Sequence, residues 1–285
     1  MFDAEKFLIK LKCALVPSRR KRNEIRQEAV EALNKKRLAK AVWGMSYSVF
    51  DGEELLESSL KSVRGEVDYI NVIYQTVSWY GNPADPGLLP LLLELKEKKL
   101  IDELAEFKPD LKKRPGTNER AKRNFGLELA RRAGCTYFMT MDCDEFYLAE
   151  EIKKAKEDII RWNLSHSYCP QIFYGFEPTS RILNSGGADF RAFFAKLRPW
   201  SKLVRRTDLP CKADKTRCLS RGFFAYEKVL DCISMHHMWM VRKNLRAKVE
   251  NSSFAGGRTK MSVPKPEDLL TCQVENRFGI DINTK

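Results

Sequence analysis

The stretch YFMTMDCDEFY, residues 137–147, decides how this chain reads. Its first five residues are aromatic, apolar or β-branched, the composition of a buried strand. They run straight into Asp142, Asp144 and Glu145. Like charges so close repel and raise one another's pKa, so the cluster needs either full solvation or a cation among its oxygens. In extended backbone Asp142 and Asp144 point one way and Cys143 the other. Two carboxylates on one side suit a hard divalent cation, Mg2+ or Mn2+, either of which bridges protein carboxylates to phosphate oxygens. The alternative is a solvated acidic turn capping the following helix.

Upstream, ERAKRNFGLELARRAG (residues 119–134) places Ala121, Phe125, Leu129, Ala130 and Ala133 on one face of a helix that ends at Gly134. Arg120, Lys122 and Arg123 cluster near its start, where they either flank a bound anion or form a solvated face. The preceding KPDLKKRPGTNER reads as irregular. KAVWGMSYSVF (residues 40–50) reads as a strand, followed by a helix over 53–63 with Asp51 and Glu54 at capping-box spacing, and VDYINVIYQ (67–75) as a second strand. Residues 75–87 form a loop, Asp85-Pro86 opens a Leu-rich helix to about residue 98, and ELAEF is a short strand.

Alternating strands and helices predict an α/β fold with a mostly parallel sheet covered on both faces. Ligands collect beyond the carboxyl ends of such strands, which is where the acidic cluster falls. After Trp162 the texture changes: HSYCPQIFYGF, RAFFAKL and FFAYEKV read as strands of mixed direction.

Length and composition fit a globular domain: 285 residues, 43% hydrophobic, with no low-complexity tract. The longest apolar run, LLPLLLEL, is far short of the roughly 20 residues that span a bilayer. Lys6, Lys10 and Lys12 interrupt the apolar residues of the N-terminus, unlike a secretory signal, so the expected location is the cytosol. Eight scattered cysteines read as free buried thiols; Cys211, Cys218, Cys232 and His236 are the one set worth testing against zinc, though without a CxxC pair. Residues 1–40 hold twelve Lys and Arg against five Asp and Glu, +7 of the net +13. A basic amphipathic lead segment suits an anionic membrane surface; the alternatives are a solvated helix packed on the domain or a contact with another subunit. Nucleic acid is disfavoured, since no recognised binding pattern accompanies the charge.

Two of the three histidines, His236 and His237, are adjacent in MHHMWMVRKN, with Arg242 and Lys243 just behind. One imidazole facing the acidic cluster would serve as a metal ligand, and the cations would neutralise a departing diphosphate. A regular strand lets only one of the two face it.

The order of a βαβ start, an RN-containing helix, a strand ending in DxD and a late HH followed by RK resembles a GT-A-type glycosyltransferase. KRNFG and DCDE are similar to the ARN-like and DxD elements of the family 2-like nucleotide-sugar transferases. The resemblance covers roughly residues 40–255. It implies a Rossmann-like, mostly parallel sheet flanked by helices, with a donor half over about 40–150 and a mixed acceptor half over about 151–255; the basic helical segment over 1–39 and a tail over 256–285 lie outside it. It further implies a metal-dependent hexosyl- or pentosyltransferase moving sugar from a nucleoside diphosphate, UDP first, to a glycan or other hydroxyl acceptor, with inversion. Asp142 and Asp144, completed by His236 or His237, would hold Mn2+ or Mg2+. Arg123, Asn124, Arg242 and Lys243 would contact phosphate or sugar, and Gln75 and Ser78 the nucleoside. Many members of that family carry an Asp where YQTVSWYG has none. Glu177, Asp189 and Asp214 are the carboxylates available as general base. The competing functions are a nucleotidyltransferase or metal-dependent phosphohydrolase on a similar sheet, and a non-catalytic basic module for nucleic acid or membrane.

Overall fold

The computed structural model describes residues 3–183, 190–252 and 265–282. Two helices lead, α1 (Ala4–Ala14), capped by Asp3, and α2 (Arg19–Lys40), capped by Ser18. The first βαβ unit follows as β1 (Trp43–Val49), α3 (Glu53–Arg64) and β2 (Tyr69–Tyr74). Next come α4 (Leu88–Glu97), β3 (Glu103–Glu106), α5 (Pro115–Arg132), β4 (Tyr137–Met141), β5 (Glu145–Phe146) and α6 (Ala149–Trp162). The second half contains β6 (His166–Phe173), β7 (Ser180–Ile182), β8 (Phe190–Lys196), β9 (Leu203–Val204) and β10 (Cys218–Leu219). It ends with β11 (Glu227–Val229), β12 (Met235–His237), α7 (Leu245–Asn251) and β13 (Thr271–Gln273).

The main sheet runs β3-β2-β1-β4-β8-β6-β12-β5, with β11 joined to β6. Strands β3, β2, β1 and β4 are mutually parallel, whereas β8 is antiparallel to both β4 and β6. This is the expected α/β architecture, a parallel half continued by a mixed half. The helices cover it because their apolar residues recur on one face: Leu55, Leu56, Leu60 and Val63 of α3 are fully buried, each stabilising the fold by about 1.5–3 kcal/mol. The tail also joins the body, since β13 pairs with β7 and Ile280 is buried against Phe146 and Met238.

Gly126 lets α5 approach the sheet. A Cβ there would collide with Ser46 on β1, and the Gly126 carbonyl accepts a bond from Asn71 Nδ2 on β2 at 2.9 Å. The close seat brings Lys122 and Arg123 to the carboxyl ends of the strands.

Four sequence expectations change. Helix α3 is capped by Gly52, at φ +88, and Asp51 makes no cap bond. Helix α4 starts at Leu88, after an Asp85 Oδ1 bond from Gly87 N turns the chain. Helix α5 starts at Pro115, because proline's fixed φ suits a first helical turn, so part of the segment read as irregular is helix. Of FFAYEKV only the last three residues form a strand; Gly222 and Ala225 close a turn that carries Phe223 and Phe224 into solvent.

Candidate active site

The DCDE segment is a turn. Glu145 N bonds Asp142 O at 3.2 Å, and the Glu145 carboxylate reaches back to take Asp142 N at 3.1 Å. The extended geometry expected for Asp142 and Asp144 is thereby replaced, and each of the three carboxylates meets cations, Arg217 being shared by Asp142 and Glu145. Asp142 pairs with Arg217 and lies 3.6 Å from Arg123. Asp144 pairs with Arg242 at 2.5 Å and Lys248 at 3.0 Å. Glu145, 1% exposed, takes Arg217 at 2.6 Å and Arg191 at 3.5 Å.

These cations come from distant segments. Arg123 lies on α5 and Arg191 on β8, Arg217 precedes β10, Arg242 follows β12 and Lys248 lies on α7, which Asn244 caps. Gly52 is again required: its φ of +88 suits glycine, and a Cβ would collide with the Arg242 guanidinium. Asp51, released from any capping role, sits 3.4 Å from Arg242 and 3.6 Å from Lys248.

Burial alone would raise every carboxyl here. Around Asp142 it is outweighed by Arg217 and Arg123, and around Asp144 by Lys248 and Arg242, so both are held below the ordinary carboxylate range. Glu145 differs: burial dominates over Arg217 and Arg191, and its pKa is raised. Lys122 is buried with no carboxylate partner, its ammonium bonding Val49 O at 2.7 Å and Gln75 Oε1 at 3.0 Å, and burial lowers it to about 7.

Strand β12 separates the histidines. His236 turns to the other face, where Nδ1 meets Tyr174 OH at 2.7 Å and the ring abuts Phe278; it is therefore not a ligand on this side. His237 faces the cluster, with Nε2 3.7 Å from Asp144 Oδ1, beyond hydrogen-bond reach. Asp144 Oδ1 is buried with no hydrogen-bond partner. Burial lowers His237 to about 3, so the ring is neutral and has a lone pair to offer.

The other sequence candidates divide. Gln75 holds Lys122 and Val77 O, and Ser78 closes its own loop by accepting from Tyr80 N and Asn82 N, so both side chains are committed within the protein. Asn124 exchanges bonds with Leu203 O and N and fastens α5 to β9, away from the carboxylates. Lys243 is exposed at the mouth of the cleft described below. Asp214 accepts from Thr216 and lies 3.2 Å from both Arg191 and Arg217; despite burial these cations hold it far below the carboxylate range, which makes it a poor base. Glu177 is exposed in the turn before β7, and Asp189 lies outside the described residues. The zinc set does not converge: Cys218 bonds Asp214 O, Cys232 bonds Asp158, and His236 is with Tyr174. All eight cysteines are free.

Arg191, Arg217 and Lys248 went unassigned in the sequence, and Asp51 was read only as a helix cap. Lys248 alone had a local signal, following Arg242 by six residues behind the cap residue Asn244. A cleft of about 720 Å³, lined by Asp51, Glu53, Asp85, Arg242, Lys243 and Lys248, adjoins the cluster through Arg242 and Lys248, the partners of Asp144. It lies between the loops that follow β1 and β2, beyond the carboxyl ends of the strands.

The residues present fit a divalent cation at one place, between Asp144 Oδ1 and His237 Nε2, an oxygen and an imidazole nitrogen of the kind Mn2+ accepts. No group of three or more His, Cys, Asp or Glu forms a complete cage among the described residues. Water and phosphate oxygens commonly complete such partial sets.

The sequence matches no protein-family model and no curated protein. Among solved structures it is similar to S. aureus TarS, at a TM-score of 0.35 and 11% identity over 50% of this chain and 25% of TarS. Shorter TarS chains in complex with UDP (TM-score 0.34, 11% identity, 52% of this chain and 43% of that one) and with UDP-GlcNAc (0.32, 13%, 52% and 41%) are also similar. This chain thus spans less than half the length of each of these proteins.

Proposed function

We propose that this protein is a metal-dependent glycosyltransferase that moves a sugar from a nucleoside diphosphate, UDP by preference, to a glycan or other hydroxyl acceptor with inversion. The observation that carries the reading is the unpartnered Asp144 Oδ1 facing the neutral His237 ring beside the cleft. A buried carboxylate oxygen without a partner is costly, and a cation entering there relieves the cost. Charge balance points the same way. The buried arginines and Lys248 are each paired with Asp51, Asp142, Asp144, Glu145 or Asp214, so their net positive charge is small and a further cation would help offset an incoming diphosphate.

Asp144 and His237 would hold Mn2+ or Mg2+, which supplies Lewis-acid stabilisation of charge on the leaving diphosphate. Arg242, Lys248 and Lys243 line the cleft and give it fixed positive charge where the leaving group develops its own. Arg217 orients Asp142 and Glu145 and so fixes the turn that presents Asp144. Of the three base candidates, Asp214 is spent on guanidinium groups, which leaves Glu177 and Asp189 to take the acceptor's proton. The expected location remains the cytosol; no helix among the described residues is long and apolar enough to cross a membrane.

The test is thermal unfolding with UDP, GDP, CMP and ADP, each with Mn2+, Mg2+ or EDTA. A ligand at 100 times its Kd adds about 2.7 kcal/mol of stability, a shift of several degrees. Stabilisation by one nucleotide that disappears with EDTA and in Asp144→Asn is the expected result. A folded protein that no nucleotide stabilises overturns the reading. Pyrophosphate or free nucleotide as product, without sugar transfer, would assign the site to a nucleotidyltransferase or phosphohydrolase.

A further inference from the structure

At the opposite end of the sheet, where the parallel strands begin, the surface around the starts of β4 and β6 carries aromatic rings and cations. Phe223 is fully exposed and Phe224 is 80% exposed, side by side on the turn ahead of β11. Trp200, after β8, is 63% exposed with the Arg198 guanidinium 5.9 Å from its ring, and Trp162, at the end of α6, is 48% exposed with Lys228 Nζ at 5.1 Å.

These pieces adjoin one another. Ser165 N bonds Tyr226 O, and Leu197 N bonds Thr136 O just before β4, so the end of α6, the Phe223 turn and the end of β8 all meet where β4 and β6 begin. The helical hairpin springs from the same end: Lys6 Nζ on α1 bonds Arg161 O at 2.5 Å, and α2 runs into the start of β1. Leu8 and Leu11 on α1, and Leu15 just after it, are exposed at helical spacing among Lys10 and Lys12. Two adjacent phenylalanines bare on a turn tip gain nothing for the fold, and an apolar surface ringed by cations marks an interaction face.

We propose that this end of the molecule is a docking surface for an anionic lipid bilayer, with Phe223 and Phe224 entering the interface and the surrounding Lys and Arg facing lipid phosphates. Charge complementarity selects this occupant: Arg161, Arg198 and Lys202 are exposed beside the rings, Lys228 lies over Trp162, and the neighbouring carboxylates Asp208 and Glu227 are already paired with Arg206. Tryptophans beside cations match the headgroup layer, where one edge of the ring is apolar and the other wet. A protein partner of the ordinary kind would need a surface with its charges at the rim, whereas here cations alternate with protruding rings from separate segments. The surface lies at the other end of the strands from the cleft, so a bound membrane leaves the cleft open.

The test is co-sedimentation of the full chain with phosphatidylcholine vesicles and with vesicles containing about 30% phosphatidylserine, at about 0.1 M and 0.5 M salt. Binding to the anionic vesicles, weakened by salt, is expected. Phe223→Ser with Phe224→Ser should reduce partitioning at least about tenfold with an unchanged melting temperature, and Arg198→Glu with Lys202→Glu should do the same. Unchanged binding in the phenylalanine variant, no binding by the wild type, or equal binding to neutral vesicles overturns the proposal. So does wild-type binding to duplex RNA without vesicle binding. A dimer that the phenylalanine variant dissociates, without vesicle binding, gives the face to a second copy of the chain instead. Nucleotide stabilisation is read separately, so failure here leaves the donor-site reading untouched.

Discussion

At the carboxyl end of the sheet Arg217 is 7% exposed and touches three carboxylates, Asp142, Glu145 and Asp214; at the amino end Arg198 is exposed and has an indole for its neighbour. The same side chain serves opposite ends. A buried guanidinium must be compensated on all sides, so its neighbours are fixed and their loss is costly. An exposed one keeps its water, contributes little to stability, and remains available to an external anion. Arg217 thus acts inside the cluster by organising acids, and Arg198 at the other end by remaining uncommitted.

The sharpest way to break this contrast is Arg217→Met, a change of similar length without charge. It leaves Glu145 buried with Arg191 at 3.5 Å and strips Asp142 of its nearest partner. Urea unfolding should show a loss of about 3–5 kcal/mol, against a change within about 0.5 kcal/mol for Arg198→Met. A loss below 1 kcal/mol for Arg217→Met would mean that the acidic turn holds its shape without the arginine.

Lys122 sharpens the contrast, being a buried cation on the carboxyl side with neutral partners alone. Burial, opposed by Cys143 and Asp142, lowers its folded pKa to about 7 from an ordinary 10.5. Between those values the unfolded chain holds the extra proton, so this group makes the protein more stable as pH rises from 7, and it penalises folding below 7. A shift of that size corresponds to about 5 kcal/mol in all, of which about 2–3 kcal/mol falls between pH 7 and 9. Lys122→Met should remove it, so the stability difference between wild type and variant should change across pH 7 to 9, before most of the unfolded-state proton is lost. A difference constant over that range would show an ammonium charged throughout.

The parallel half of the fold was legible because its signals are local. Alternating apolar runs and the glycines at 65 and 134 placed β1, α3, β2 and β4 within a residue or a few of their bounds. The acidic cluster was legible for the same reason, as a strand running directly into Asp142, Asp144 and Glu145. Its partners were not. Arg217 and Arg191 stand in segments whose composition does not distinguish them from other surface arginines, and only the antiparallel return of β8 and the loop before β10 bring them to the cluster. The same limit explains FFAYEKV: the composition is that of a strand, but β6 offers parallel pairing only from Glu227, so the rings ahead of it are left outside.

The smallest expected effect tests how the basic hairpin is held at the amino end. Arg37 of α2 grips Asp3 with two bonds, at 2.7 and 2.8 Å, and reaches Glu5 at 2.6 Å, locking α1 onto α2. The Arg37 bond is the largest influence on Asp3 and outweighs burial, lowering its carboxyl from 3.8 to about 2. A depressed acid contributes stability that is fully present above its unfolded pKa, so this contribution is complete above pH 4 and fades as pH falls through about 2. Solvent near the pair screens it, and about 1 kcal/mol is the expected size. Asp3→Asn should lower stability by that amount at pH 7 and by almost nothing at pH 2. Because the hairpin springs from the proposed lipid-facing end, the same substitution should loosen α1 without altering the carboxylate cluster, so nucleotide-dependent stabilisation should survive it. Loss of that stabilisation in Asp3→Asn would show that the two ends are coupled through the sheet.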